Sequence, residues 1–119
     1  MADFTKEELS ESVDGRFIHI GTTGTAGTLI HTAQAGTGTD NYDEVYLYAC
    51  NISDSDVNLT IEWGDVDDPE DLIILPVGSK VGLALITPGL ILQNSLEVRA
   101  FAAVEDVINV GGFVNRISA

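Results

Sequence analysis

The chain has 119 residues, 45% of them hydrophobic, with five Lys and Arg against nineteen Asp and Glu, a formal net charge of −14. That length supplies one domain with one hydrophobic core, and that hydrophobic share excludes wholesale disorder. The charge excludes a uniformly basic nucleic-acid surface and works against adsorption to an anionic membrane, while it suits basic partners or bound cations.

The first stretch, residues 1–16, is polar and acidic and lacks the basic start and apolar run of a signal peptide. It is expected as an N-terminal arm ahead of a domain spanning 17–119. Phe4 to Leu9 has the pattern for one helical turn, with Thr5 as cap and Glu8 three residues on. The alternatives are a frayed end, or an extended arm that orders against a neighbouring subunit with Phe4 and Leu9 as anchors. Arg16-Phe17-Ile18-His19-Ile20 alternates as a short strand. Gly21 to Thr28 is a Gly/Thr-rich loop with no Gly-Lys-Ser or Gly-Lys-Thr, so it is no phosphate loop. Thr28 to Ala33 is a second strand, and Gln34 to Tyr42 a second Gly/Thr-rich loop.

Glu44-Val45-Tyr46-Leu47-Tyr48-Ala49-Cys50-Asn51 alternates, with Val45, Leu47 and Ala49 on one face. Val57 to Trp63 alternates strictly, predicting Val57, Leu59, Ile61 and Trp63 inward and Asn58, Thr60 and Glu62 outward. The turn formers Asn51 to Asp56 lie between, and the unit reads as an antiparallel hairpin. An acidic loop follows, Gly64 to Asp71. Leu72 to Leu75 is a short apolar run stopped by Pro76, and Lys80 to Ile86 a strand stopped by Pro88-Gly89. Leu90 to Leu92 leads into a turn at Gln93-Asn94. Ser95 to Ala102 alternates again, and Val107 to Ile117 is a last strand with Gly111-Gly112 inside it. About eight short strands, turn signals at near-regular spacing and no long helical period predict an all-β chain, an antiparallel β-sandwich or jelly roll with a short extended N-terminal arm.

Catalytic signals are thin. His19 and His31 are the only histidines, they fit no metal-ligand spacing, and strand histidines are expected at the surface or an interface. Cys50, the single cysteine, forms no intramolecular disulfide and has acidic neighbours, whereas a reactive thiol needs a positive one. No Gly-x-Ser-x-Gly elbow is present. Eleven of the nineteen carboxylates lie between Asp40 and Asp71. Asp65-x-Asp67-Asp68 resembles the opening of a calcium loop but lacks its glycine and distant bidentate Glu, and Pro69 intrudes. A solvated loop tip is the simpler expectation. Tyr46, Tyr48, Phe101 and Phe113 on outward strand faces fit either cross-strand pairs or a protein interface, where aromatic side chains are enriched; a ring platform for carbohydrate is the remaining option.

The run Glu44 to Gly64 resembles the core of small virion proteins of tailed bacteriophages: a strand, a Cys/Tyr-Asn-x-Ser step (Cys50-Asn51-Ile52-Ser53), a small polar turn and a second strand. Pro88 to Leu92, Ser95 to Ala100 and Gly112 to Ile117 follow in the same order as in those proteins, so the resemblance covers about residues 20 to 117. It implies a non-enzymatic capsid decoration (cement) protein without cofactor or metal. Such a protein is made in the host cytoplasm and bound to the outer surface of the expanded head, where it stabilises contacts between major capsid protein subunits. It also implies a homo-oligomer, a trimer before a dimer, with no nucleic-acid or membrane partner. Interface residues expected on this reading are Phe4, Leu9, Tyr46, Tyr48, Arg99, Phe113 and Arg116. The rival readings are a neck, tail or fibre-associated virion protein, and a carbohydrate- or calcium-binding β-module for host attachment.

Overall fold

A computed structural model describes residues 3–119. Nine strands follow in chain order: β1 (Asp3–Glu8), β2 (Ile18–Ile20), β3 (Thr28–Thr32), β4 (Tyr42–Asn51), β5 (Val57–Gly64), β6 (Leu72–Val77), β7 (Ala84–Leu92), β8 (Glu97–Ala102) and β9 (Ile108–Ser118). They form two antiparallel sheets packed face to face, a β-sandwich. One sheet, here sheet A, runs β1-β9-β4-β7, with β2 also on β9; the other, sheet B, runs β3-β8-β5-β6. β2 and β1 lie end to end along β9, opposite Ile108–Val110 and Phe113–Ser118. Among the described residues no helix is long and apolar enough to cross a membrane.

Period-two alternation builds the core directly. Val45, Leu47 and Ala49 of β4 with Val110 and Val114 of β9 meet Leu59 and Ile61 of β5 with Val98, Ala100 and Ala102 of β8, all fully buried. Burying side chains of this size is worth about 1.5–3 kcal/mol each for the larger ones. The two flanks of the sandwich differ. On the β2/β3 side Leu9, Ile20 and Ile30 are fully buried, and the chain after β1 is tied across the gap by the Glu11 N–H to Ile30 O bond. On the β6/β7 side Ile73, Leu75, Ala84 and Ile86 pack on the core but remain partly exposed.

Several expectations change. Phe4 to Leu9 is not a helical turn: Asp3–Glu8 is a strand paired with β9, whose free edge supplies hydrogen bonds that an isolated turn would lack. β4 and β5 are not a hairpin. They sit in different sheets, and residues 52–56 arch between them. The buried Asn51 side chain sets that arch, donating to the carbonyls of Ser55 and Val77 and accepting from Ser53 N–H and Oγ. Neither Pro76 nor Pro88-Gly89 stops a strand. β6 and β7 run through them because both are edge strands, where a missing N–H can face outward. β7 takes up its proline with register shifts against β4 on either side of Tyr46-Leu47.

Thr60 and Glu62 are outward on β5 as expected, yet both are buried. The Gly21–Thr28 loop covers Glu62. Thr25 Oγ1 donates to Glu62 Oε2, and Gly27 N–H donates to Glu62 Oε1 at 2.6 Å. Gly27 lies so close to the Ala100 backbone that a Cβ there would overlap its carbonyl.

Candidate interaction face

The outward face of sheet A is built from four strands. Alternation on β4 turns Tyr46 and Tyr48 away from the core, and the β4–β9 register sets Tyr46 opposite Phe113 and Tyr48 opposite Gly111. The Tyr46 and Phe113 rings stack, with centroids 4.6 Å apart and planes 12° from parallel. Gly111 leaves space that the half-exposed Phe17 ring fills, since a Cβ there would enter that ring. Lys6 of β1 puts its Nζ 4.4 Å from the Phe113 ring centre, a cation–π contact. Phe4, two residues earlier on the same strand face, is 63% exposed. On the far border Leu85, Pro88 and Ile91 of β7 are exposed in register with Tyr48, Tyr46 and Glu44. The outcome is a wet sheet face with rings and aliphatic groups where polar side chains are usual.

The seven sequence-expected interface residues divide. Tyr46, Tyr48, Phe113 and Phe4 belong to this face. Leu9 is sealed in the chain's own core. Arg99 is on the outward face of sheet B, donating to Gly27 O at 3.1 Å and to Glu97 Oε1 at 3.2 Å. Arg116 points between the sheets. Phe17, Lys6 and Leu85 complete the face and were not expected there; the signal for Phe17 is the side-chain-free Gly111, which becomes visible only once β2 is placed on β9.

Arg116 belongs to a buried polar cluster at the arm end of the sandwich. Its Nε and Nη2 donate to Asp43 Oδ1 and Oδ2 at 2.8 and 2.9 Å, a two-pronged pair. His31 Nε2 donates to Asp43 Oδ2 at 2.7 Å, while its Nδ1 accepts from Ser10 N–H at 3.0 Å. A ring that accepts at Nδ1 and donates at Nε2 is the neutral tautomer. Gln34 N–H also reaches Asp43 Oδ2, at 3.3 Å. Burial pushes the Asp43 carboxyl up, but the bonds from Arg116 and then His31 outweigh it and bring the carboxyl from its ordinary 3.8 down to about 2. His31 is thus a core residue, 1% exposed, and not the surface residue expected. His19 is the exposed one. Its ring bonds Asp106 at 2.8 Å and Asn109 at 3.1 Å, and those two bonds raise its pKa above the usual value. Both histidines have both ring nitrogens in structural bonds.

Two places have the composition of a ligand site. Asp65, Asp67 and Asp71 bring one carboxylate oxygen each to within 4.8 Å of one another. The loop itself uses these groups, since Asp65 accepts from Val66 N–H and Asp71 from Asp67 N–H. Beside them a depression of about 80 Å³ is lined by Glu62, Gly64, Asp65, Val66, Glu97 and Arg99, well below the ~300 Å³ at which small-molecule sites begin. No family model, curated protein or solved structure matches the chain.

Proposed function

We propose that this chain is a non-enzymatic capsid decoration protein of a tailed bacteriophage, assembling as a homo-oligomer on the outer surface of the expanded head and bridging major capsid protein subunits. One observation carries the binding part of this reading: the outward face of sheet A, where Tyr46 and Phe113 stack, flanked by Phe17, Tyr48 and the β7 border. Rigid aromatic side chains on a flat, hydrogen-bonded sheet give a large contact area at low entropic cost, which suits a protein that works by docking. The charge of −14 keeps the free protein soluble and draws it to electropositive surfaces. Many weak contacts around a symmetric shell then add by multivalency. The phage assignment itself comes from the Glu44–Gly64 run and the segments that follow it in order.

The test is co-sedimentation of purified protein with expanded and unexpanded heads of the same phage. Saturation at hundreds of copies on expanded heads alone supports the reading, and Tyr46→Ala with Phe113→Ala lowers affinity by about tenfold or more in a variant that still folds, with a somewhat lower melting temperature because a stacked cross-strand pair is lost. A dozen copies or fewer moves the protein to a neck or tail, and no binding at all overturns the reading.

The stacked ring pair also serves the second reading, a glycan-binding module for host attachment, and the Asp65–Asp67–Asp71 group serves its cation half. An unchanged melting temperature in calcium removes that half, because a ligand of the folded state stabilises it.

A further inference from the structure

The edges of the two sheets are guarded in different ways. β6 and β7 contain Pro76 and Pro88, and β7 also shifts register twice against β4. A proline removes a donor, and a bulge breaks the flat template that a further strand needs. The free side of β3 is covered by the chain itself. Thr28 N–H donates to Thr22 Oγ1 at 3.1 Å, Ile30 O accepts from Glu11 N–H at 3.3 Å, and Thr32 N–H donates to Ser10 Oγ at 2.7 Å. Every second residue of that edge is thus already bonded. β2 offers three residues only. β1 has none of these guards. Asp3–Glu8 runs six residues in unbroken register on β9, without proline or bulge, and every residue of it is exposed. Among the described residues nothing pairs with its other side.

What β1 has instead is charge, in Asp3, Lys6, Glu7 and Glu8. Lys6 lies over the Phe113 ring, and Glu7 keeps 43% of its side chain exposed beside Arg116. Three carboxylates therefore stand against one ammonium along this edge. Proline, bulges and cover turn away any strand, but charge turns away only strands of its own sign. A second copy of this chain is refused on that ground. In full antiparallel overlap two β1 strands set Asp3 against Glu8 twice, in parallel register each charge meets its like, and both chains bring −14. A basic strand meets the reverse situation. Alternation puts Asp3 and Glu7 on one face of β1, and Phe4, Lys6 and Glu8 on the other, where the ring-lined face of sheet A begins. The segment that fits alternates as well, with basic residues against Asp3 and Glu7 and apolar ones beside Phe4.

We infer that the free edge of β1 is a strand-addition site, which takes an extended basic segment of another protein into sheet A beside Asp3–Glu8. Main-chain hydrogen bonds supply the affinity, and the alternating side-chain pairs select the partner. The site adjoins the ring-lined face but does not rest on the capsid reading, since the edge recognises the segment and not the protein that carries it. Added salt weakens the charge pairs and leaves the main-chain bonds in place.

The probe is a short capped peptide of alternating Lys and Val, titrated into the full chain and followed by calorimetry and by amide hydrogen exchange. The expected result is binding that protects amides of Asp3–Glu8 which exchange freely in the protein alone. An alternating Glu and Val peptide should not bind. An alternating Lys and Pro peptide keeps the charge but cannot pair as a strand, and it should protect no β1 amide. Asp3→Asn with Glu7→Gln should weaken the Lys–Val peptide by about fivefold, the worth of two cross-strand charge pairs. Asp65→Asn with Asp67→Asn removes as much charge away from the edge and should change affinity by less than about twofold. All four positions are exposed, so both double variants should fold. β1 amides left unprotected at saturating peptide overturn the inference. So does a Lys–Pro peptide that binds as well as Lys–Val, or two double variants that weaken binding equally, since either is adsorption by charge alone. Peptide binding without head binding would sink only the capsid reading, whereas head binding without β1 protection by the peptide would sink this site alone.

Discussion

Asp43 has no contact with solvent, and every reason it tolerates burial is a named donor: two from Arg116, one from His31 and two from Gln34. Breaking such a set on one side leaves charge without a partner, which costs more than the pair contributes. Asp43→Asn should therefore lower stability by about 3 kcal/mol in a denaturant titration. The pH dependence follows from the depressed carboxyl. The unfolded chain takes up its proton near 3.8 and the folded protein only near 2. The resulting stabilisation, about 2 kcal/mol, is complete above pH ~4 and is lost as pH falls towards 2. Melting curves across that window should drop steeply for the parent and less steeply for Asp43→Asn; equal slopes would show that Asp43 is not the group responsible. None of this was legible in the sequence. The cluster joins positions 31, 34, 43 and 116, and Arg116 and His31 each look like ordinary polar members of an alternating strand until β4 and β9 are set side by side.

At the scale of elements, alternation says that a strand has one buried face, and on that basis most strands and the core positions of β4 and β5 were legible, whereas Leu9 and Val77 were not. It does not say which sheet a strand joins, which is why β4 and β5 read as a hairpin when they arch across the sandwich. It is also blind to cover arriving from elsewhere. Glu62 reads as outward and wet, and it is outward, but the Gly21–Thr28 loop lies over it. Of the interaction face, the ring positions on β4 and β9 were legible from parity, whereas Phe17 and Lys6 needed the pairing of β2 and β1 with β9. The loop rests on one close approach, Gly27 against the Ala100 backbone. Gly27→Ala should lift it from the sheet and expose Glu62, costing about 2 kcal/mol in denaturant-measured stability. A neutral effect would mean that the loop can shift sideways without losing its hold on Glu62.

For the whole molecule the governing number is a charge of −14 on one small sandwich. Self-repulsion of that size works against the compact state, and salt screens it. The melting temperature of the dilute monomer should therefore rise by several degrees between low and physiological ionic strength. A flat response would mean that the carboxylates are already offset locally. The placement of β9 governs how the molecule comes into being. It is an inner strand of sheet A, and β1, β2 and β4 all pair with it. Those three strands precede β9 in the chain and have no common partner without it, so of sheet A only the β4–β7 pair can form before β9 is present. The ring-lined face is therefore completed only when β9 slots in between β4 and the two N-terminal strands.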